Sequence, residues 1–333
     1  MDPSTRLRVL TWHVHGNYLY YLTQTPHTFV LPTKPLRPHP YGGRTRSFPF
    51  GDNVVEVPAE RLRDEQFDAI LFQSREADER DQYRYLTPSQ WTLPRLYLEH
   101  DPPREHPTDT RHVVDDPEVL VVHVTRFNQL MWDCGRSPTT VIPHGVLVPP
   151  HLAHTGTLER GIVVVNNLRS RGRRLGADVF ERVRSAAVPL DLVGMDARSM
   201  GGLGEVPPAE LAEFIAPYRF FFNPIRYTSL GLSVCEAMTL GMPVVGLATT
   251  EMATTVENGV SGYVDNDVDV LVERMRTLLA DPSLAARLGE GARAYARRAF
   301  SIERFVSDWD ATLRYAVARP RRSRWSVAAG EAA

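Results

Sequence analysis

Glu236, the backbone around Ser229-Leu230-Gly231, and the arginines at 169, 171, 173 and 174 combine residue types and spacings that suit ligand chemistry. Gly241 is a natural helix terminator and Pro243 opens a new apolar run, so the spacing predicts a helix over about 230–240. A helix starting at Ser229-Leu230-Gly231 aims unpaired N–H groups and the positive end of its dipole at an anion. Gly231 lets that anion approach the backbone closely. Glu236, in the first turns of the same helix, can accept two hydrogen bonds from a vicinal diol on the same ligand. The alternative is a solvated helix glutamate, the commoner fate of this residue type, and burial decides between the two.

The first half holds a second group of candidates. A strand over Arg8–Trp12 passes through His13–Asn17 into a helix near Tyr18–Leu22, which puts His15 and Gly16 where a helix N-terminus meets a ligand. Glu99-His100-Asp101-Pro102-Pro103 follows another strand, over Arg95–Glu99. His13, His15, His123 and His144 share no metal-ligand spacing, and Cys134 and Cys235 stand far apart without a CxxC, so neither a metal site nor a disulfide framework is expected.

These residues must be positioned by alternating strands and helices. Short apolar runs at Asp68–Phe72, Val119–His123 and Thr140–Val146 continue the first half, with irregular Pro- and Arg-rich loops expected over Pro32–Pro49. Turn residues cluster at Pro149, Pro150 and Gly156, where a hinge is placed. Strands then follow at Gly161–Val165, Leu190–Gly194, Arg219–Phe222 and Pro243–Leu247, a βαβ pattern around parallel sheets. Val268, Leu271, Met275 and Leu278 share one helical face, and Ser301 caps a last helix carrying Phe305, Trp309, Leu313 and Tyr315. Two α/β lobes result, 1–150 and 151–318, with 319–333 as a frayed tail; 333 residues suit two such lobes.

A formal net charge of -2 argues against nucleic acid, because phosphate neutralisation needs a basic domain. Lys34 is the single lysine, so any phosphate must be held by arginine forks or backbone N–H groups. With no signal-peptide pattern and no long apolar stretch, a cytoplasmic protein is expected, any membrane contact being peripheral.

The run SLGLSVCEAMTLGMPVVG (229–246), followed by TTVENGVSGYV (254–264), resembles the donor-binding signature of retaining GT-B glycosyltransferases of the glycogen synthase-like (group 1) superfamily. VIPHGV at 141–146 is similar to that family's motif at the end of the N-terminal lobe. The resemblance implies two Rossmann-like lobes with an interdomain cleft and a C-terminal helix packing back toward the N-terminal lobe. It implies transfer of a sugar, with retention, from a nucleoside-diphosphate donor to a glycan, lipid-linked or small-molecule acceptor, without metal or other cofactor.

Carried over position by position, Glu236 takes the ribose hydroxyls, while the family's sugar-contacting glutamate falls on Thr228. A threonine hydroxyl can bond a sugar but brings no negative charge. Arg171, then Arg174, then Arg169 stand where the diphosphate clamp belongs, in a loop whose reference glycine is either Gly172 or Gly176. Arg226 is a further phosphate or acidic-sugar candidate, with a surface arginine as its alternative. Val206, in Gly204–Pro207, lies in the base-recognising loop. His100 is the catalytic-side candidate with Thr228, and His15 and Gly16 take the acceptor or phosphate side. An epimerase on the same fold and a non-catalytic nucleotide-sugar-binding protein are the alternatives.

Overall fold

The structure, a computed structural model, describes residues 5–319. The tail expected over 319–333 therefore lies, beyond Arg319, outside the described residues. The chain forms two units: one runs up to His123 and includes Met131–Ile142 and the segment from Val306; the other comprises Val124–Leu130 and Pro143–Phe305.

The first unit is built on a seven-stranded parallel sheet. Its strands are β1 (Arg8–Thr11), β2 (Thr28–Thr33), β3 (Val54–Pro58), β4 (Ala69–Phe72), β5 (Arg95–Glu99), β6 (Val119–His123) and β7 (Thr139–Val141), in the order β3-β2-β1-β4-β5-β6-β7. All four residues of β4 and all five of β6 are buried, as expected of strands covered on both faces. The chain reverses direction across the sheet between β1 and β4. In parallel sheets ligands bind outside the carboxyl ends of strands at such a switch point. The residues after β1, β4 and β5, which include His15, Gln73 and His100, are therefore in the positions that topology reserves for a site.

β2 and β3 depart from the sequence reading. The irregular stretch is shorter than expected at its start, because β2 runs to Thr33 and pairs in parallel with both β1 and β3. Pro32 sits inside that strand, where its ring obscures the β pattern. At the other end of the sheet the strand expected to continue to Val146 stops at Val141.

The second unit has five parallel strands, β8 (Leu158–Val164), β9 (Leu190–Val193), β10 (Tyr218–Asn223), β11 (Val244–Leu247) and β12 (Gly262–Asp265), in the order β12-β11-β10-β8-β9. Here the switch point falls between β8 and β10. The loops after those two strands carry the arginine run and the Ser229-Leu230-Gly231 turn. Leu271, Met275 and Leu278 of the helix Val268–Ala280 close the core beside Phe220 and Phe222, on the face anticipated from their spacing.

In the last helix, Ile302–Ala318, the Ser301 hydroxyl accepts the Arg304 N–H at 3.2 Å, the expected cap. Trp309 and Leu313 are fully buried, and within the first unit Trp309 Nε1 donates to the Tyr18 hydroxyl at 3.1 Å. Tyr315, expected on the same apolar face, is exposed instead, because it lies two residues past Leu313 and so round the helix.

Candidate functional site

The helix after β10 runs Leu232–Leu240, later than the predicted 230 start, because Gly231 keeps an extended backbone and stands as the N-cap. Ser229 and Leu230 thus belong to the turn before the helix, and the amides presented there are those of its first turn. Gly241 ends the helix in a left-handed conformation, as its position predicted.

Glu236 is buried, with 7% of its surface exposed, in a helix whose residues Val234 to Met238 are all buried. That rules out the solvated glutamate. Beside it, burial drives the Cys235 thiol far above its ordinary pKa, with the Glu236 charge adding to the effect. Cys235 is therefore a packed, inert side chain.

The turn in front of Glu236 is tied from several sides. His144 Nε2 donates to the Leu230 carbonyl at 2.8 Å, and Arg304 donates to the carbonyls of Pro143 and His144 at 2.9 and 2.5 Å. The VIPHGV motif is thereby a brace between the start of the last helix and the turn that opens the Glu236 helix. The Thr249 hydroxyl donates to the Ile225 carbonyl at 3.2 Å, and the Ser233 hydroxyl to that of Val164 at the end of β8, at 3.4 Å. Thr228 lies half-buried within this braced turn.

The arginine run is not the expected loop. It is a helix, Leu168–Leu175, broken at Gly172, whose φ of 54° and ψ of -135° no side-chain-bearing residue readily adopts. Gly176 ends it, and a Cβ there would lie 1.9 Å from the Pro224 carbonyl oxygen. Gly176 is therefore the glycine that lets this helix touch the loop after β10, while nothing lies within 4 Å of the corresponding position at Gly172. At that contact Arg226 and Tyr227 donate their backbone N–H groups to the Arg174 carbonyl at 3.1 and 3.2 Å.

Arg226 is already engaged within the protein. Its guanidinium takes both carboxylate oxygens of Asp178, at 2.5 and 2.8 Å, and bonds the Arg173 carbonyl. Arg173 spends its charge on the same Asp178 at 2.7 Å, and Arg169 donates to the Ser199 carbonyl. Arg171 is exposed and Arg174 half-buried. Val206 lies half-buried two residues beyond Gly204, which bridges to Val193 at the end of β9.

In the first unit the residues after β1, β4 and β5 meet. The rings of His15 and His100 lie 4.2 Å apart, that of Tyr18 lies 4.9 Å from His100, and Gln73 Oε1 is 3.0 Å from His100 Nε2. Gly16 is the first residue of the helix Gly16–Leu22, with His15 as its N-cap. A cavity of about 320 Å³ adjoins this group, bordered among others by His15, Gln73, Glu99, His100, Asp101 and Trp132. That is at the small end of the roughly 300–1,000 Å³ typical of ligand pockets. Three arginines at its rim are each matched by a carboxylate: Arg75 by Glu79, Arg104 by Asp101, and Arg111 by Asp115.

The remaining histidines have structural partners. His13 Nδ1 donates to the Gly43 carbonyl at 2.6 Å, and His123 Nε2 lies 3.5 Å from the Cys134 sulfur, where burial lowers the His123 pKa to about 4. Among the described residues no three His, Cys, Asp or Glu side chains group as metal ligands. No described helix is long and apolar enough to cross a membrane.

Asp178 and Gln73 were not foreseen from the sequence. Gln73 directly follows β4, so its place after a central strand was the available signal. For the tie that Asp178 makes to the loop after β10 there was none, because Arg226 lies 48 positions away.

Residues 200–295 match the family profile described as glycosyl transferases group 1. The lipopolysaccharide core biosynthesis mannosyltransferase LpcC of Rhizobium leguminosarum bv. viciae is 25% identical over 239 residues, 61% of this chain. The matched stretch spans 66% of that relative's length, and no more than 23% of three further curated relatives.

Among solved structures, a sucrose-phosphate synthase from Thermosynechococcus elongatus superposes with a TM-score of 0.68 at 15% identity, over 93% of this chain and 98% of that one. The Anabaena protein HepE in complex with UDP gives 0.66 at 14% identity, over 93% and 100%. At such identities the likeness is one of fold, and the fold is GT-B. The group 1 glycosyltransferase signature is carried in residues 200–295, within a chain of two parallel-sheet lobes.

Proposed function

We propose that this protein transfers a sugar from a nucleoside-diphosphate donor to an acceptor hydroxyl, with retention at the anomeric carbon. The observation that carries the reading is the buried Glu236 carboxylate on a helix whose N-terminal turn is braced at the carboxyl end of β10. A carboxylate can take both hydroxyls of a ribose, while first-turn amides take the diphosphate.

Arg171 and then Arg174 add positive charge as the nucleoside diphosphate departs, which is stabilisation of charge that grows in the transition state. Arg169 is a weaker contributor, since its guanidinium bonds the Ser199 carbonyl. Ser229, Leu230, Gly231 and Val206 line the donor, and Thr228 bonds the sugar. His100 acts on the catalytic side, by orientation and hydrogen bonding, with His15 and Gly16 towards the acceptor. Arginines and amides carry the electrostatics, so the reading invokes no cofactor.

UDP is the first nucleotide to test, since it is the ligand named for the Anabaena neighbour. The acceptor is a glycan, lipid-linked or small-molecule hydroxyl, and the protein works in the cytoplasm with at most peripheral membrane contact.

Isothermal titration with UDP, GDP, ADP and dTDP tests donor binding, and release of diphosphate in the presence of an acceptor extract tests transfer. Saturable binding of one nucleotide, lost in Glu236→Ala, is expected. Absence of binding by all four would overturn the proposal. Binding without transfer would favour a non-catalytic protein, the reading that Thr228 supports.

A further inference from the structure

One hydrogen-bonded chain in the first unit has a fixed polarity from end to end. The Leu71 carbonyl can only accept, so the Thr11 hydroxyl, 2.9 Å away, donates to it. The Thr11 oxygen then accepts from the Gln73 amide nitrogen at 2.8 Å, and the Trp12 carbonyl, 3.1 Å from the same nitrogen, can again only accept. Both demands turn the NH2 of Gln73 towards β1 and its Oε1 towards His100. An amide oxygen has no proton to give, so His100 Nε2, 3.0 Å away, carries one.

Gln73 and Thr11 are buried, which removes water as a substitute partner. The reverse amide orientation would set Oε1 against the Trp12 carbonyl. The ring plane is held separately, by the edge contacts with His15 and Tyr18.

The geometry points to Gln73 as a positioning residue that fixes His100 as its Nε2–H tautomer, making Nδ1 the basic nitrogen of the ring beside the cavity. Imidazole chemistry depends on which nitrogen bears the proton, and a second partner commonly sets it. The consequence for sugar transfer rests on the function proposed above; the tautomer does not.

The test is NMR of the full chain labelled with 15N-histidine, in the presence of UDP, with His100 identified by the signals lost in His100→Asn. The wild type is expected to show a protonated Nε2 and an unprotonated Nδ1. Gln73→Leu is expected to move both resonances towards values averaged over the two tautomers. Gln73→Glu keeps an acceptor for Nε2 but sets its second oxygen against the Trp12 carbonyl, so it is expected to keep Nε2 protonated and to lower Tm. In transfer assays, Gln73→Leu is expected to lower kcat by roughly ten- to a hundredfold with KM for the nucleotide sugar little changed, as misplacement of a positioned group does.

A proton on Nδ1 in the wild type, which needs no variant to detect, overturns the assignment, as does an unchanged tautomer in folded Gln73→Leu. The expected tautomer in a protein that transfers no sugar would refute the proposed function and leave the assignment standing.

Discussion

Arg226 grips both carboxylate oxygens of Asp178, at 2.5 and 2.8 Å, and so ties the loop after β10 to the chain that follows the arginine helix. Those hydrogen bonds hold the Asp178 carboxyl below its ordinary pKa of 3.8. The charged form is thus favoured by folding, so its contribution is complete above the ordinary value and is lost as pH falls through the lowered one. Asp178 is 38% exposed, so the pair stabilises the fold by only roughly 0.5–1 kcal/mol. Asp178→Asn is expected to show that deficit in urea unfolding at pH 7 and to lose it as pH falls below 3.8 and through the lowered value. Its larger effect should be on nucleotide affinity, through a loosened loop. Titration showing tight nucleotide binding with the pair removed would mean that the loop holds its shape without Asp178.

Glu236→Ala removes the proposed partner of the ribose hydroxyls. A hydrogen bond to a charged group contributes about 1.5–3 kcal/mol, so nucleotide affinity should fall on the order of ten- to a hundredfold. Glu236→Gln keeps the shape and half the acceptors and should fall between. Because Glu236 is buried, circular dichroism and Tm must accompany the titrations. Unchanged affinity in a folded Glu236→Ala protein would remove the donor site from this helix.

The second unit was the more legible half in the sequence. Its strands are short, with apolar stretches such as 162–164, 220–222 and Val244–Leu247 punctuated by Gly and Pro, and Gly241 ended its helix as expected. In the first unit β2 and β3 were missed, because Pro32 inside β2 and the polar Glu56 inside β3 blur the pattern. Glu236 was found by its place in a motif, but its burial was not predictable, since that depends on packing around the whole helix. The arginine run was read as a loop because Gly172 and Gly176 signal breaks, yet the first is a kink within a helix. Arg226 looked free for a phosphate because nothing local reveals a partner as distant as Asp178.

His144→Ala would remove the 2.8 Å bond to the Leu230 carbonyl and leave that acceptor buried. The expected cost is about 1–3 kcal/mol in unfolding free energy, the usual penalty for orphaning a buried polar group. A weaker affinity for the nucleotide should accompany it, although the imidazole is assigned no ligand contact. His144→Gln, whose amide can donate to the same carbonyl, should recover part of both. Stability and affinity moving independently across these two variants would argue against a brace.

Burial lowers the His123 pKa to about 4 from an ordinary 6.5, which favours the neutral ring in the folded protein. Between those values the unfolded chain takes up a proton that the folded one does not. Stability therefore declines as pH falls from about 6.5 and levels off below about 4, a total of about 3 kcal/mol if His123 acts alone. His123→Gln should flatten that slope in urea unfolding followed from pH 8 to pH 4. A slope unaltered by the substitution would assign the acid sensitivity to other groups.

Thr228→Glu returns a carboxylate to the position where the family places a sugar-contacting acid. Thr228 is half-buried in the braced turn, three residues before the Gly231 cap, so a longer side chain has partial access to solvent there. A negative charge there would favour a cationic sugar centre as the bond to the diphosphate stretches, which a hydroxyl cannot do. If the wild type is slow because it lacks that charge, the variant should raise kcat with little change in nucleotide affinity. If instead Thr228 makes room for a different sugar, the variant should lose the native donor and accept another. A panel of UDP-, GDP-, ADP- and dTDP-sugars, read by diphosphate release, distinguishes these outcomes. Identical rates and donor preference in both proteins would place residue 228 away from the sugar.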